Sequence, residues 1–185
     1  MAKQRPTVRI GFVGAGFVAH LHAEAYRQVR GVNVELRWVT AARPERPKAF
    51  AETFEVERVA PEVETILADP QVDAVDLCVP NYLHASLGVQ AARAGKHVIV
   101  EKPLTGFFGP ASTPRPEMLR AALAAADDLI RACQAARVRL CYAENWVYAP
   151  AVQKGRRLLA ASGGPILRLI AEESHSGTHA AASVD

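Results

Sequence analysis

Long apolar runs are missing from this sequence. No stretch approaches the 18 or more residues of a membrane-spanning helix. The opening MAKQRPTVRIGFVG passes from a short polar lead into a strand-like run, without the apolar core of a secretory signal. Cysteine is scarce. Cys78, Cys133 and Cys141 are too few and too scattered for a disulfide framework or a zinc site. No metal is therefore expected, and the three read as reduced core thiols of a cytoplasmic protein. An excess of one charge is lacking as well: 22 basic and 19 acidic residues, interspersed along the chain, leave a net charge of +3. That balance argues against nucleic acid and against a membrane surface as partners, since both need a basic face. What is plentiful is hydrophobic material, 50% of 185 residues. This suffices for one full domain plus part of a second, or for one large domain, and excludes wholesale disorder.

The first 100 residues alternate between strand and helix patterns. Val8–Val13, Val32–Thr40, Ala74–Val79 and His97–Val100 are short apolar or β-branched runs that read as strands. Between them, Phe17–Arg30, Pro47–Phe54, Val63–Leu67 and Tyr82–Ala94 carry helical spacing or lie between turn signals, with Asp69–Pro70 and Gly95 as stops. Gly106–Pro116 is a loop rich in Gly, Pro and Ser. Glu117–Arg137 is a long alanine-rich helix with Met118, Ala122, Leu129 and Cys133 on one stripe. Val138–Ala143 is a further strand, Ala149–Ala160 a helix, and Ile166–Ala171 one more strand after a Gly163–Gly164 turn. The alternation predicts an α/β fold, a doubly wound parallel sheet with helices on both faces. The division expected is 1–145 for this domain and 146–185 for the start of a second, incomplete α/β domain.

The segment Gly14–Ala15–Gly16–Phe17–Val18–Ala19 follows a strand and opens a helix, the setting that a dinucleotide-binding loop requires. Gly14 permits a tight turn, Gly16 lets the backbone approach a pyrophosphate, and Ala19 allows the helix to pack close to the sheet. The helix N-terminus at Phe17 and Val18 then offers N–H groups to the phosphates. A glycine turn without a ligand and a site for S-adenosylmethionine are the rival readings. The second strand ends Val39–Thr40–Ala41–Ala42–Arg43. It lacks the acid that would hold the ribose 2′-hydroxyl of NAD, and Arg43, Arg46 and Lys48 follow. A guanidinium there can hold a 2′-phosphate, so NADP is favoured and NAD remains possible.

The fourth strand ends Glu101–Lys102–Pro103. Open α/β sheets bind ligands at the C-terminal ends of their strands. Lys102 is therefore placed to orient a substrate hydroxyl, or, where desolvated, to deprotonate it.

Taken together, GFVGAGFVAHLHAEAY, DAVDLCVPNYLH, AGKHVIVEKPL and, more loosely, YAENWVYAPAVQKGRRLL resemble the glucose–fructose oxidoreductase, inositol dehydrogenase and rhizopine catabolism protein family (Gfo/Idh/MocA). The resemblance runs over nearly all of residues 7–175. It implies an N-terminal Rossmann domain, a second α/β domain, and use of NAD or NADP on a hydroxyl or carbonyl of a sugar, cyclitol or related polyol. It makes Lys102 the catalytic or substrate-orienting lysine, with a cis peptide before Pro103. It places Val79, Pro80, Asn81 and His84 along the cofactor, beside Gly14, Gly16, Phe17, Val18, Ala41, Arg43 and Glu101. Asn145 and Trp146, after the last strand of the first domain, line the nicotinamide pocket or else pack the hinge. The full-length form is expected to be a homo-oligomer.

The departures are also specific. Members of that family are about twice this length. Their catalytic histidine lies in a glycine-rich segment of the second domain, often with an Asp a few residues earlier. His175–Ser176–Gly177–Thr178–His179 ends in the same way, but His175 stands where the acid would be. The chain is therefore expected to stop inside its second domain, leaving an open sheet edge at Ile166 that invites aggregation or self-pairing. Of the remaining histidines, His20 and His22 read as packing or surface residues of the first helix, with His20 near enough the glycine turn to touch a cofactor. His97 reads as structural. The rival to an enzyme is a dinucleotide-binding module without the acid–base histidine.

Overall fold

In a computed structural model, which describes residues 5–172, the β-branched runs form one parallel sheet. Its strands are β1 (Thr7–Val13), β2 (Asn33–Thr40), β3 (Arg58–Val59), β4 (Ala74–Leu77), β5 (His97–Glu101) and β6 (Leu140–Ala143), in the order β3-β2-β1-β4-β5-β6. Every neighbouring pair is parallel, so all C-terminal ends share one rim. The order reverses direction between β1 and β4, where a crevice opens for ligands. The helices are α1 (Phe17–Arg27), α2 (Glu45–Phe54), α3 (Val63–Ala68), α4 (His84–Arg93), α5 (Arg115–Ala136) and α6 (Pro150–Ser162).

Period-2 alternation divides the strand side chains between two cores. Val75, Leu77, Val98 and Val100 pack with Ile66, Ala91, Ala92, Leu129 and Cys133 on the face covered by α3, α4 and α5. Ile10, Phe12, Val39 and Ala74 pack with Ala19, Ala23, Phe50 and Phe54 on the face covered by α1 and α2. Small residues bring helices close. Gly88 of α4 faces Leu129 of α5, and a β-carbon there would stand 2.7 Å from a Leu129 methyl.

Most boundaries differ from expectation by one to three residues, for local reasons. Helix α1 stops at Arg27 rather than Arg30, ahead of Gly31, which takes a positive φ of 89°. Helix α2 begins at Glu45 because Pro47 still lies in the first turn, where a missing N–H costs nothing. The segment read as one helix from Tyr82 is a 3-10 turn at Asn81–Leu83 followed by α4, closed by Gly95 at φ 74°. Strand β3 went unread because it has only two residues, held beside β2. Cys141 is exposed on β6, not a core thiol; Cys133 is buried and Cys78 intermediate.

The chain divides into two compact units, at Glu144 and Asn145. The second contains a 3-10 turn at Asn145–Tyr148 and α6, closed by Gly163 at φ 65°. The strand expected over Ile166–Ala171 is a correction: among the described residues no strand lies there. A strand exists only as a paired element, and an apolar run without a neighbour cannot make one. The self-pairing edge argued from that strand goes with it. His175 and His179 lie outside the described residues. Among the described residues, no helix is long and apolar enough to cross a membrane.

Leu129 is fully buried between α4, α5 and the sheet. Leu129→Ala is expected to lower the unfolding free energy by roughly 2–5 kcal/mol; a urea melt with an unchanged midpoint would contradict this packing.

Candidate functional site

The glycine loop sits at the rim, where β1 meets β2 and β4. The Gly14 N–H donates to the Thr40 carbonyl at 2.8 Å, and the Cys78 N–H donates to the Val13 carbonyl at 2.9 Å. Gly14 has φ 107°, and a β-carbon on it would lie 2.1 Å from the Cys78 carbonyl oxygen. No other residue fits that turn. Gly16 differs. A β-carbon there would meet nothing within 4 Å, so no protein atom demands glycine and the space beside its backbone is open. Gly16 is the N-cap of α1, which has neither a side-chain cap nor an acid in its first turn. An open approach, a positive helix end and no competing carboxylate fit a pyrophosphate. Phe17 is exposed, Val18 half-buried and Ala19 fully buried, and Ala19 lets α1 lie close to the sheet. His20 is exposed, yet its Nδ1 lies 2.9 Å from the Gly16 carbonyl and its ring packs edge-on against Phe50 and Phe54 of α2, each at 5.1 Å.

Around the same rim, Ala41 and Arg43 follow the end of β2, half-buried and exposed respectively. Val79, Pro80 and Asn81 follow β4. His84 is buried, 1% exposed. Its Nδ1 lies 2.8 Å from the Pro103 carbonyl and its Nε2 3.1 Å from the Val79 carbonyl. The ring therefore ties the loop after β4 to the turn after β5, with both nitrogens directed at protein. The Lys102–Pro103 peptide is cis, and Lys102 is exposed at the C-terminal end of β5. Asn145 and Trp146 are exposed in the second unit. His97 is structural, its Nδ1 accepting the Arg139 N–H at 3.0 Å.

Behind the glycine loop lies a polar cluster. Asp76 shares the face of Ala74, and Glu101 that of Ile99, so alternation aims both toward α1. His22 meets them from α1. Its Nδ1 lies 2.9 Å from Asp76 Oδ2, and its Nε2 lies 3.1 Å from Glu101 Oε1. Tyr26 Oη donates to Asp76 Oδ2 at 2.6 Å, and Cys78 Sγ donates to Asp76 Oδ1 at 3.4 Å. Glu101 Oε2 accepts the Lys102 backbone N–H at 3.2 Å.

A sequence model described as an oxidoreductase family with an NAD-binding Rossmann fold, GFO_IDH_MocA, matches residues 8–142. The chain belongs to the Gfo/Idh/MocA family. Levoglucosan dehydrogenase of Pseudarthrobacter phenanthrenivorans is 36% identical over 103 residues, covering 52% of this chain and 26% of that protein. Myo-inositol 2-dehydrogenase of Thermotoga maritima is 33% identical over 98 residues, covering 53% and 29%. Among solved structures, levoglucosan dehydrogenase in complex with NADH and levoglucosan superposes with a TM-score of 0.72 at 25% identity, over 84% of this chain and 40% of that one. Biliverdin reductase of Synechocystis, with biliverdin and NADP+, gives 0.63 at 25% identity, over 85% and 44%. The chain spans between a quarter and a third of the length of these two curated relatives.

Sequence reasoning missed the cluster, having left His22 as packing or surface. A signal was present. His22 lies in the inward stripe Ala19, His22, Ala23, Tyr26, and Asp76 interrupts an otherwise apolar strand. A polar residue on a core-facing stripe needs a partner. In this family member the partners are each other. Burial opposes a charge on His22, but the hydrogen bonds to Asp76 and Glu101 outweigh it and raise the imidazole to about 10. Burial also works against the Glu101 carboxylate, yet the bond from His22 and the Lys102 N–H hold its pKa below the usual value. Cys78 is pushed up by burial and then by Asp76, and Tyr26 likewise. The donor atoms of His22, Asp76 and Cys78 lie within 4.8 Å of one another. A metal ion there would have to displace the protons that these atoms already share.

Two outcomes follow. Gly14→Ala is expected to destabilise the chain strongly, with loss of the cooperative thermal transition or a markedly lower Tm. The His22 contribution is complete below pH 6.5 and is lost as pH rises through about 10. Stability should therefore decline across that window in the wild type, and that part of the decline should vanish in His22→Gln. Parallel urea midpoints for the two proteins from pH 6.5 to 10 would contradict the bridged ring.

Proposed function

We propose that this chain binds NADP at the glycine loop and serves an oxidoreductase acting on a hydroxyl or carbonyl of a sugar, cyclitol or related polyol. The observation that carries the proposal is the pairing, on one sheet rim, of a glycine loop open to phosphate with a Lys–Pro turn at the end of β5. The bound dinucleotide supplies or accepts the hydride. Gly14, Gly16, Phe17 and Val18 hold its pyrophosphate with backbone N–H groups. Ala41 and Arg43 border its adenosine end. Val79, Pro80 and Asn81 lie beside it, with His84 fixing their loop to Pro103. Glu101 steadies the Lys102 backbone.

Lys102 donates a hydrogen bond from Nζ to the substrate oxygen. Its positive charge is available where negative charge develops on that oxygen. The exposed lysine supports this orienting role over a deprotonating one, because nothing in the first unit buries it. Preference for NADP over NAD rests on the end of β2, which has no acid over Thr40–Ala42 and carries Arg43. The levoglucosan and myo-inositol substrates in the relatives' names support the polyol class. The second reading, a dinucleotide-binding module, is favoured by the small second unit, which holds one α-helix among the described residues.

Calorimetric titration separates these. NADPH is expected to bind about tenfold or more tightly than NADH, with Arg43→Ala removing the difference. Equal affinities would overturn the NADP assignment. Turnover of a sugar or polyol panel should fall roughly 100-fold or more in Lys102→Ala while cofactor affinity holds. Binding with no turnover of any polyol by the wild type would establish the module instead.

A further inference from the structure

We propose that His22 is a positioning residue for the Lys102 turn, holding the Glu101 carboxylate from α1 and, through it, the backbone N–H of Lys102. The proposal rests on the reading that Lys102 works on substrate, and it adds what sets the lysine in place.

The geometry forms an unbroken chain from helix to turn. Asp76 is fully buried, with no solvent to stabilise its carboxylate. Tyr26 and Cys78 donate to it, and His22 Nδ1 faces both of its oxygens, at 2.9 and 3.1 Å. The other ring nitrogen faces Glu101 Oε1. Carboxylate oxygens only accept, so a ring that satisfies both sides donates from both nitrogens and is an imidazolium. That cation lies between two anions from neighbouring strands. Glu101 then uses its second oxygen on Lys102.

An anchor for α1 alone would need only Asp76 and Tyr26. The Glu101 arm ties α1 to β5 as well, and it ends on the backbone of Lys102 at the rim of β5. Helix α1 also begins at the phosphate-binding loop, five residues before His22. The helix end that holds the cofactor and the turn that carries the lysine therefore share one charged link. Around the ring stand Asp76 of β4, Cys78 just after it, Glu101 of β5 and Tyr26 of α1; Cys141 of β6 acts on Tyr26. Of these, Glu101 alone leads to Lys102.

The test is an amide spectrum of the 185-residue chain labelled with 15N-lysine, without cofactor. Five lysines are present, Lys3, Lys48, Lys96, Lys102 and Lys154, and the Lys102 signal is assigned by its loss in Lys102→Arg. His22→Gln, which can donate to one carboxylate but not to both, is expected to shift the Lys102 amide while Lys48 and Lys154 stay in place. In a Glu101→Gln background the same substitution should move it no further. A Lys102 amide unmoved in a folded His22→Gln protein, or moved equally with and without Glu101, would overturn the proposal. Where His22→Gln does not fold, the wild type decides. The His22 ring nitrogens and the Lys102 amide should titrate together at alkaline pH, and separate midpoints would refute the link. Because no cofactor is present, failure here is distinct from failure of dinucleotide binding or of Lys102-dependent turnover.

Discussion

A buried carboxylate at Asp76 constrains everything around it. It lies in the middle of β4, at the crevice where strand order reverses, and none of its surface reaches water. An isolated charge in such a place is costly, and removing one partner of a buried pair typically costs about 3–5 kcal/mol. The surroundings are arranged to meet that cost: Tyr26, His22 and Cys78 converge on its two oxygens. Two of these donors come from α1. The first helix is therefore held by specific bonds over β4 as well as by the contacts of Ala19 and Ala23. Its N-terminus is presented at a fixed height above the rim, which is what a phosphate site on backbone N–H groups requires. An apolar contact is non-directional; a ring nitrogen held between both oxygens of one carboxylate fixes the helix along its axis as well.

The two glycines of the loop show how differently the same residue can be required. Gly14 is dictated by the protein itself, because the Cys78 carbonyl occupies the place of a side chain and φ is positive. Gly16 is dictated by nothing in the chain. A glycine whose missing side chain would point into open space is not required by the fold, and the proposed pyrophosphate contact supplies a reason for it. The absence of an acidic side chain in the first turn of α1 agrees, since a carboxylate there would occupy the positive helix end in place of phosphate.

How much of this was legible depended on sequence distance. The glycine loop, the strand alternation and the Glu101–Lys102–Pro103 turn are local patterns, and each is where the spacing put it; the cis peptide at Lys102–Pro103, which only the family resemblance implied, is present as well. The His22–Asp76–Glu101 link spans 54 and 79 residues, and no local periodicity connects its members. Only the rule that a core-facing polar residue must be partnered could have raised it, and that rule names no partner. Strand β3 was too short to read. Ile166–Ala171 differs for the opposite reason: it is long and apolar enough to suggest a strand, but a strand is a property of a pair. His84 was legible as a rim residue, though not as a clamp whose two nitrogens serve the Val79 and Pro103 carbonyls.

The clamp and the charged link act on the same turn from opposite sides. His84 holds the Pro103 carbonyl, one residue after Lys102, and Glu101 holds the Lys102 N–H, one residue before it. Backbone on either side of the lysine is thus fixed to a different element: α4 and the loop after β4 on one side, α1 and β4 on the other. Among the described residues no hydrogen bond ties the lysine side chain itself, which is exposed at the tip. The substrate contact proposed for Lys102 would gain from this division, with a bonded base and an open end. The tip can be left open to a ligand because its base is bonded into the sheet on both sides.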